Sequence, residues 1–167
     1  MKVVIVGCGR VGALLAATLD AAGHDVSIID ESTLAFDRLP STFKGNAIRG
    51  NGTDEAVLRR VGTGHADLFL AMTEGDNRNV MSAQLATEIF EVGRVVAKIN
   101  DPVRAEAYAD LGIATVCRTN LMTDAILGHM GLPDSGTPDV RVARGHHPGG
   151  DHPIASVGAP IAGAGEA

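Results

Sequence analysis

The chain predicts an α/β fold of Rossmann type, a doubly wound parallel sheet of six strands followed by a disordered C-terminal tail. Three observations carry this. Gly7-Cys8-Gly9-Arg10-Val11-Gly12 follows the apolar run Val3-Val4-Ile5-Val6 and opens a helical pattern, so a GxGxxG sequence stands in the strand-turn-helix context that gives it meaning. Eighteen residues past Gly12, the run Val26-Ser27-Ile28-Ile29 ends in Asp30, where a dinucleotide-binding unit keeps the acid that holds ribose hydroxyls. Strand and helix signals then alternate as far as residue 130, which demands crossover connections between parallel strands.

The elements follow in order. The first helix repeats Val11, Leu14, Leu15, Thr18, Leu19 and Ala22 at helical spacing and stops at Gly23. After the Asp30 strand come a helix from Glu31 to Leu39, the strand Ala47-Ile48-Arg49 and a helix from Thr53 to Val61. A strand from Asp67 to Met72, a helix from Asp76 to Phe90 and a strand from Val95 to Ile99 continue the alternation. Asp101 and Pro102 start a helix to Leu111, Thr115-Val116-Cys117 makes the sixth strand, and Asn120 to Met130 the last helix. The chain changes character at Gly131-Leu132-Pro133: five of seven prolines and seven of 21 glycines fall in residues 133–167, with no period to organise them. Residues 1–132 therefore read as one nucleotide-binding domain and 133–167 as a tail that cannot bury enough apolar surface to order itself.

The site residues are expected on the loops at the carboxyl ends of the strands. Gly7 permits a tight turn, Gly9 lets amides approach a pyrophosphate, and Gly12 lets the helix pack close on the sheet, with the phosphates on the helix N-terminus. Arg10 can pair with terminal phosphates bidentately and so distinguish di- from triphosphate. Asp30, with Glu31 beside it, is expected at the ribose, and its carboxylate argues against the 2′-phosphate of NADP. The second glycine turn, Gly50-Asn51-Gly52-Thr53-Asp54, lies at the adenosine end, with Thr53 able to cap the following helix. A third loop, Met72-Thr73-Glu74-Gly75-Asp76-Asn77, ends the fourth strand on the same rim, so that the three loops form one pocket.

Composition excludes several classes. A formal charge of −6 without a basic run, and only 3% aromatic residues, leave neither an electrostatic footprint nor stacking platforms for nucleic acid. No apolar run approaches a membrane span, and the N-terminus enters the first strand directly, unlike a signal peptide; the expected location is the cytoplasm. Cys8 and Cys117 belong to no metal spacing and read as reduced thiols. His146, His147 and His152 lie in the tail without a ligand scaffold, so no metal site is expected.

GCGRVG, the Asp30 strand end, GNGTD, the stretch Ala66-Asp67-Leu68-Phe69-Leu70-Ala71-Met72-Thr73 followed by Asp76-Asn77-Arg78-Asn79, and Val96-Ala97-Lys98-Ile99-Asn100-Asp101-Pro102 together resemble the TrkA N-terminal domain, also called the RCK or KTN domain, over about residues 1–130. The resemblance implies a cytosolic regulator of bacterial potassium transport that binds NAD(H) or ATP/ADP/AMP, dimerises or assembles into a higher ring, and gates a membrane transporter or channel without entering the bilayer. It implies nucleotide contacts at Gly7 to Val11 for the phosphates, at Asp30 for the ribose, and at Thr73 and Glu74 near the adenosine. Lys98 stands where the family commonly has a basic residue; it either faces the pocket or is a solvated charge at a strand end. Asn51 and Asn120 replace acids found in many members, which leaves metal-assisted nucleotide sensing without its ligands. The C-terminal ligand-binding domain of the family has no counterpart in the pattern after residue 130.

The alternative reading is a small NAD-dependent oxidoreductase. Against it, Tyr108 has Gly112 four residues on, where a short-chain dehydrogenase has Lys, and no general acid or base is evident on the rim. The last helix offers Leu121, Met122, Ala125, Ile126 and Met130 as an apolar face with no strand left to return to. It either crosses onto a second subunit, as the resemblance implies, or folds back on its own sheet.

Overall fold

A computed structural model of the chain describes residues 1–110, 113–137 and 140–141. The central strand β1 (Lys2–Val6) is flanked in parallel by β2 (Asp25–Asp30) and β4 (Leu68–Ala71). Strand β3 (Asn46–Arg49) extends the sheet beyond β2, and β5 (Val95–Ile99) and β6 (Ala114–Cys117) extend it beyond β4. The six parallel strands are those predicted. A two-residue strand, β7 (Val140–Arg141), pairs antiparallel with β6 and completes the order β3-β2-β1-β4-β5-β6-β7. It comes from the stretch read as tail. Residues 138–139 and 142–167, and with them the three tail histidines, lie outside the described residues.

Near-continuous apolar strands fit a sheet that is covered on both faces. Val3 and Ile5 of β1 pack with Val26, Ile28, Ala13 and Ala16 beneath α1 (Arg10–Ala21). Val4 and Val6 face the opposite way, toward Leu58, Phe69, Val80, Ala83 and Ala105, under α2 (Glu55–Arg60), α3 (Asp76–Gln84) and α4 (Pro102–Asp110). Strand order reverses between β1 and β4, so the loops after these two strands diverge and open a crevice at the carboxyl edge.

Several local expectations are corrected. On α1 the buried seam is Gly12, Ala13 and Ala16, whereas Val11 and Leu14 are exposed. Small residues let the helix axis approach the sheet, and the larger ones then have no room on that side. The segment read as a helix from Glu31 to Leu39 is one 3₁₀ stretch, Thr33–Arg38, which buries only Ala35. Pro40 holds Leu39 extended, at ψ 139°, and the helix does not continue. The helix predicted as far as Phe90 leaves α geometry at Gln84 for a single wider turn, Leu85–Ile89, in which the Phe90 amide reaches back to the Leu85 carbonyl at 3.2 Å. The extra residue brings Ala86 and Phe90 into the core together. Asp54, not Thr53, caps α2, accepting the Ala56 amide at 2.8 Å.

The last helix, α5 (Arg118–His129), starts directly at the end of β6 and buries only Asn120. Leu121, Met122, Ile126 and Met130 are exposed, while Val96 and Val116 on the neighbouring strands are only partly covered. Among the described residues the helix therefore does not close over its own sheet.

Candidate nucleotide-binding site

The crevice at the switch point is a cavity of about 380 Å³, within the range of small-molecule sites. Its floor is the turn after β1. Gly7 sits at φ +101°, and a Cβ there would come within 2.8 Å of the Thr73 amide nitrogen. A Cβ on Gly12 would overlap the Gly7 carbonyl oxygen, so the seam between α1 and the turn admits only glycine. Gly9 caps α1 without a side chain, so no side-chain oxygen occupies its first-turn amides. A cradle of this shape fits a phosphate group.

Asp30 closes the turn from the β2 side. Its Oδ2 accepts the Cys8 amide at 2.8 Å and its Oδ1 accepts the Ser32 amide at 2.9 Å. Below it the Cys8 thiol is buried and donates to the Ala35 carbonyl at 3.3 Å. Burial, and secondarily the Asp30 carboxylate, push this thiol up to about 11, so it stays protonated and inert near neutral pH.

The second glycine turn is fixed by Asn51, whose Oδ1 accepts both the Thr53 amide at 2.9 Å and the Thr53 hydroxyl at 2.8 Å. That engagement is why Thr53 is not free to cap α2. On the β4 side, fully buried Asn79 holds the third loop. It accepts the Thr73 amide at 2.8 Å and hydroxyl at 2.7 Å, and donates to the carbonyls of Thr73 at 3.0 Å and Lys98 at 2.7 Å. Asp76 extends the framework by accepting the Asn100 amide at 2.9 Å and the Asn100 side-chain amide at 2.8 Å.

The structure brings Gly7, Cys8, Gly9, Arg10, Asp30, Glu31, Asn51, Gly52, Thr53, Thr73 and Glu74 together around one cavity. Val11, Gly12 and Lys98 lie outside its lining, Val11 facing solvent, Gly12 the sheet, and Lys98 behind the Glu74 side chain that does line it. Lys98 is not a solvated charge: its side chain is 6% exposed, and its ammonium lies 3.5 Å from Glu74 Oε1. Glu74 stands by the glycine turn after β1, its Oε1 3.7 Å from a Cβ placed on Gly9. Two lining cations were not among the expected site residues, Arg38 from the 3₁₀ stretch and Arg78 from the first turn of α3. Arg78 reaches across the mouth to Glu31 at 3.5 Å, a solvated and therefore weak pair. The signal for Arg78 was its place just after the third rim loop; nothing local marked Arg38.

A doubly wound sheet with a glycine turn, a strand-end acid and a crevice at the switch point defines a nucleotide-binding class of fold. The TrkA-N domain model matches residues 3–119, and the chain belongs to that family. It is 44% identical over 138 residues to the Trk system potassium uptake protein TrkA of Streptomyces coelicolor, which covers 83% of this chain and 61% of that protein. The chain thus spans about three-fifths of that curated relative and about half of the next ones it matches. Among solved structures, the TrkA-N domain of the Escherichia coli inner membrane protein ybaL aligns with TM-score 0.69 at 18% identity, covering 77% of this chain and 96% of that one. The Shewanella denitrificans Kef C-terminal domain in its AMP-bound form aligns with TM-score 0.63 at 23% identity, covering 78% and 82%. At these identities the two structures establish the shared fold. No described helix is long and apolar enough to cross a membrane.

Proposed function

We propose that this chain is a nucleotide-sensing regulatory domain of a potassium uptake system, acting at the cytoplasmic face of the membrane through a transporter or channel partner. The single observation that carries the reading is the convergence of the side-chain-free first turn of α1 with the Asp30 carboxylate on one cavity. The name of the 44% identical relative supplies the potassium system, and the AMP-bound neighbour of the same fold supports an adenine nucleotide.

In this reading the amides of the Gly9 to Val11 turn hold phosphates, with Arg10 as a cation at the rim. Asp30, which accepts two amide hydrogens, takes the ribose hydroxyls on its remaining lone pairs, with Glu31 beside it. The Asn51-Gly52-Thr53 turn borders the adenosine, Thr73 the opposite wall, and Lys98 supplies buried positive charge. The ligand is NAD(H) or ATP, ADP or AMP; NADP is disfavoured because its 2′-phosphate would meet the Asp30 and Glu31 carboxylates. The domain carries out no chemistry on the nucleotide. It converts occupancy into a preference between two arrangements of a homodimer or larger ring, as a ligand does when it binds one state better.

Calorimetric titration of the full chain with AMP, ADP, ATP, NAD, NADH and NADP tests the site. The expected result is saturable binding of at least one adenine nucleotide and weaker binding of NADP than of NAD. No binding at millimolar concentration, or a preference for NADP, would overturn it. Potassium uptake by cells carrying an Asp30→Ala chromosomal variant tests the wider role: uptake should lose its dependence on this chain.

A further inference from the structure

Of the three carboxylates that line the crevice, Asp30, Glu31 and Glu74, only Glu74 pairs with two cations that lie outside the lining. Glu74 Oε1 lies 3.5 Å from the Lys98 ammonium, and Glu74 Oε2 lies 3.8 Å from Arg118 Nη1. The same side chain stands over the phosphate turn, its Oε1 within 3.7 Å of the place a Gly9 Cβ would take. This carboxylate therefore stands between the phosphate-sized turn and two cations.

Burial decides which member of this cluster can leave. The Lys98 side chain is 6% exposed and anchored on β5, whereas Glu74 is 74% exposed on a loop and can swing into water. Lys98 is the buried partner, so a second anion that reaches its ammonium can take the place of Glu74 while the carboxylate moves into water. Arg118, half exposed, is the first residue of α5 and follows whichever anion holds its guanidinium.

We propose that Glu74 is a resident anion that stands in for the ligand's phosphates, and that binding exchanges it for a pyrophosphate, transferring Lys98 and Arg118 to the nucleotide. This rests on the nucleotide-binding reading above and adds selectivity and an output to it. Displacing a carboxylate that already serves two cations favours a ligand with at least two linked phosphates, a nucleoside diphosphate, triphosphate or dinucleotide, over a nucleoside. The transfer of Arg118 carries occupancy into α5, whose apolar face is the exposed one.

The test is calorimetric titration of adenosine and ADP into the wild type, Glu74→Gln and Arg118→Met, with hydrogen exchange of the segment spanning residues 114–122 read with and without ADP. Glu74→Gln removes the competing charge and should raise ADP affinity about tenfold, with a smaller gain for adenosine. Arg118→Met should lower ADP affinity several-fold and abolish the ADP-dependent slowing of exchange in the first turn of α5. Equal ADP affinity in the wild type and Glu74→Gln, or weaker binding by Glu74→Gln, overturns the exchange while leaving nucleotide binding intact. Slowing of α5 exchange that survives in Arg118→Met overturns the output. Failure of every variant to bind ADP overturns the underlying nucleotide reading as well.

Discussion

Asp30 Oδ2 accepts the Cys8 amide at 2.8 Å, so the acid that ends β2 holds the turn that ends β1. The two residues are 22 apart in sequence and adjacent only because β1 and β2 pair in parallel, with Val6 opposite Ile29. The carboxylate consequently shapes the phosphate turn as well as facing the crevice.

Asp30→Ala removes both roles. Charge-assisted hydrogen bonds contribute about 1.5–3 kcal/mol each, so adenine-nucleotide affinity should fall by about tenfold or more. The Cys8 and Ser32 amides also lose their acceptor, and the melting temperature should drop. Calorimetry showing an unchanged dissociation constant would contradict the ribose assignment.

The Cys8 thiol offers a pH test. Its folded value is raised from 9.0 to about 11, chiefly by burial, so the folded state binds the proton more tightly than the unfolded chain. Stability from this group is therefore complete below pH 9 and is lost as pH rises from about 9 toward 11. Thermal unfolding should show a decline in that window that Cys8→Ala lacks. Because the thiolate is the reactive form, iodoacetamide at pH 8 should leave Cys8 unmodified by peptide mass mapping.

Asn79→Leu tests the clamp between the third loop and β5. It leaves the Thr73 amide and the Thr73 and Lys98 carbonyls without their side-chain partner in a buried setting. The expected loss is about 3 kcal/mol, read as a lower urea midpoint at unchanged slope. A shift near zero would mean that the loop holds itself.

The exposed face of α5 predicts association. Met122, Ile126 and Met130 are each more than half exposed, and the uncovered parts of β5 and β6 lie beside the helix start. Light scattering at micromolar concentration should report a homodimer, and Ile126→Asp a monomer with an intact circular dichroism spectrum. A monomeric wild type would exclude helix exchange between subunits.

Hydride transfer is expected to be absent. Neither Tyr108, which packs from α4 against the core, nor any histidine lines the cavity among the described residues. NADH consumption with a panel of small carbonyl compounds should stay at the rate of buffer alone; saturable turnover would restore the oxidoreductase reading.

The sequence by itself determined the order of the parallel strands, the glycine turn after β1 and the place of Asp30 at the end of β2, because each depends on short-range spacing: three glycines within six residues, an acid closing an apolar run, helical and strand periods. It could not say which face of α1 is buried, since Val11 and Leu14 have the right spacing but lose the seam to Gly12, Ala13 and Ala16. Nor did it reveal Arg38 and Arg78 at the cavity, the burial of Lys98, or Glu74 lodged between Lys98 and Arg118. Those placements arise where strand order reverses between β1 and β4, which brings loops from distant parts of the chain onto one edge. Local pattern carries the elements; only the packed sheet fixes which side chains meet across the crevice, and their charge and burial then decide what it can hold.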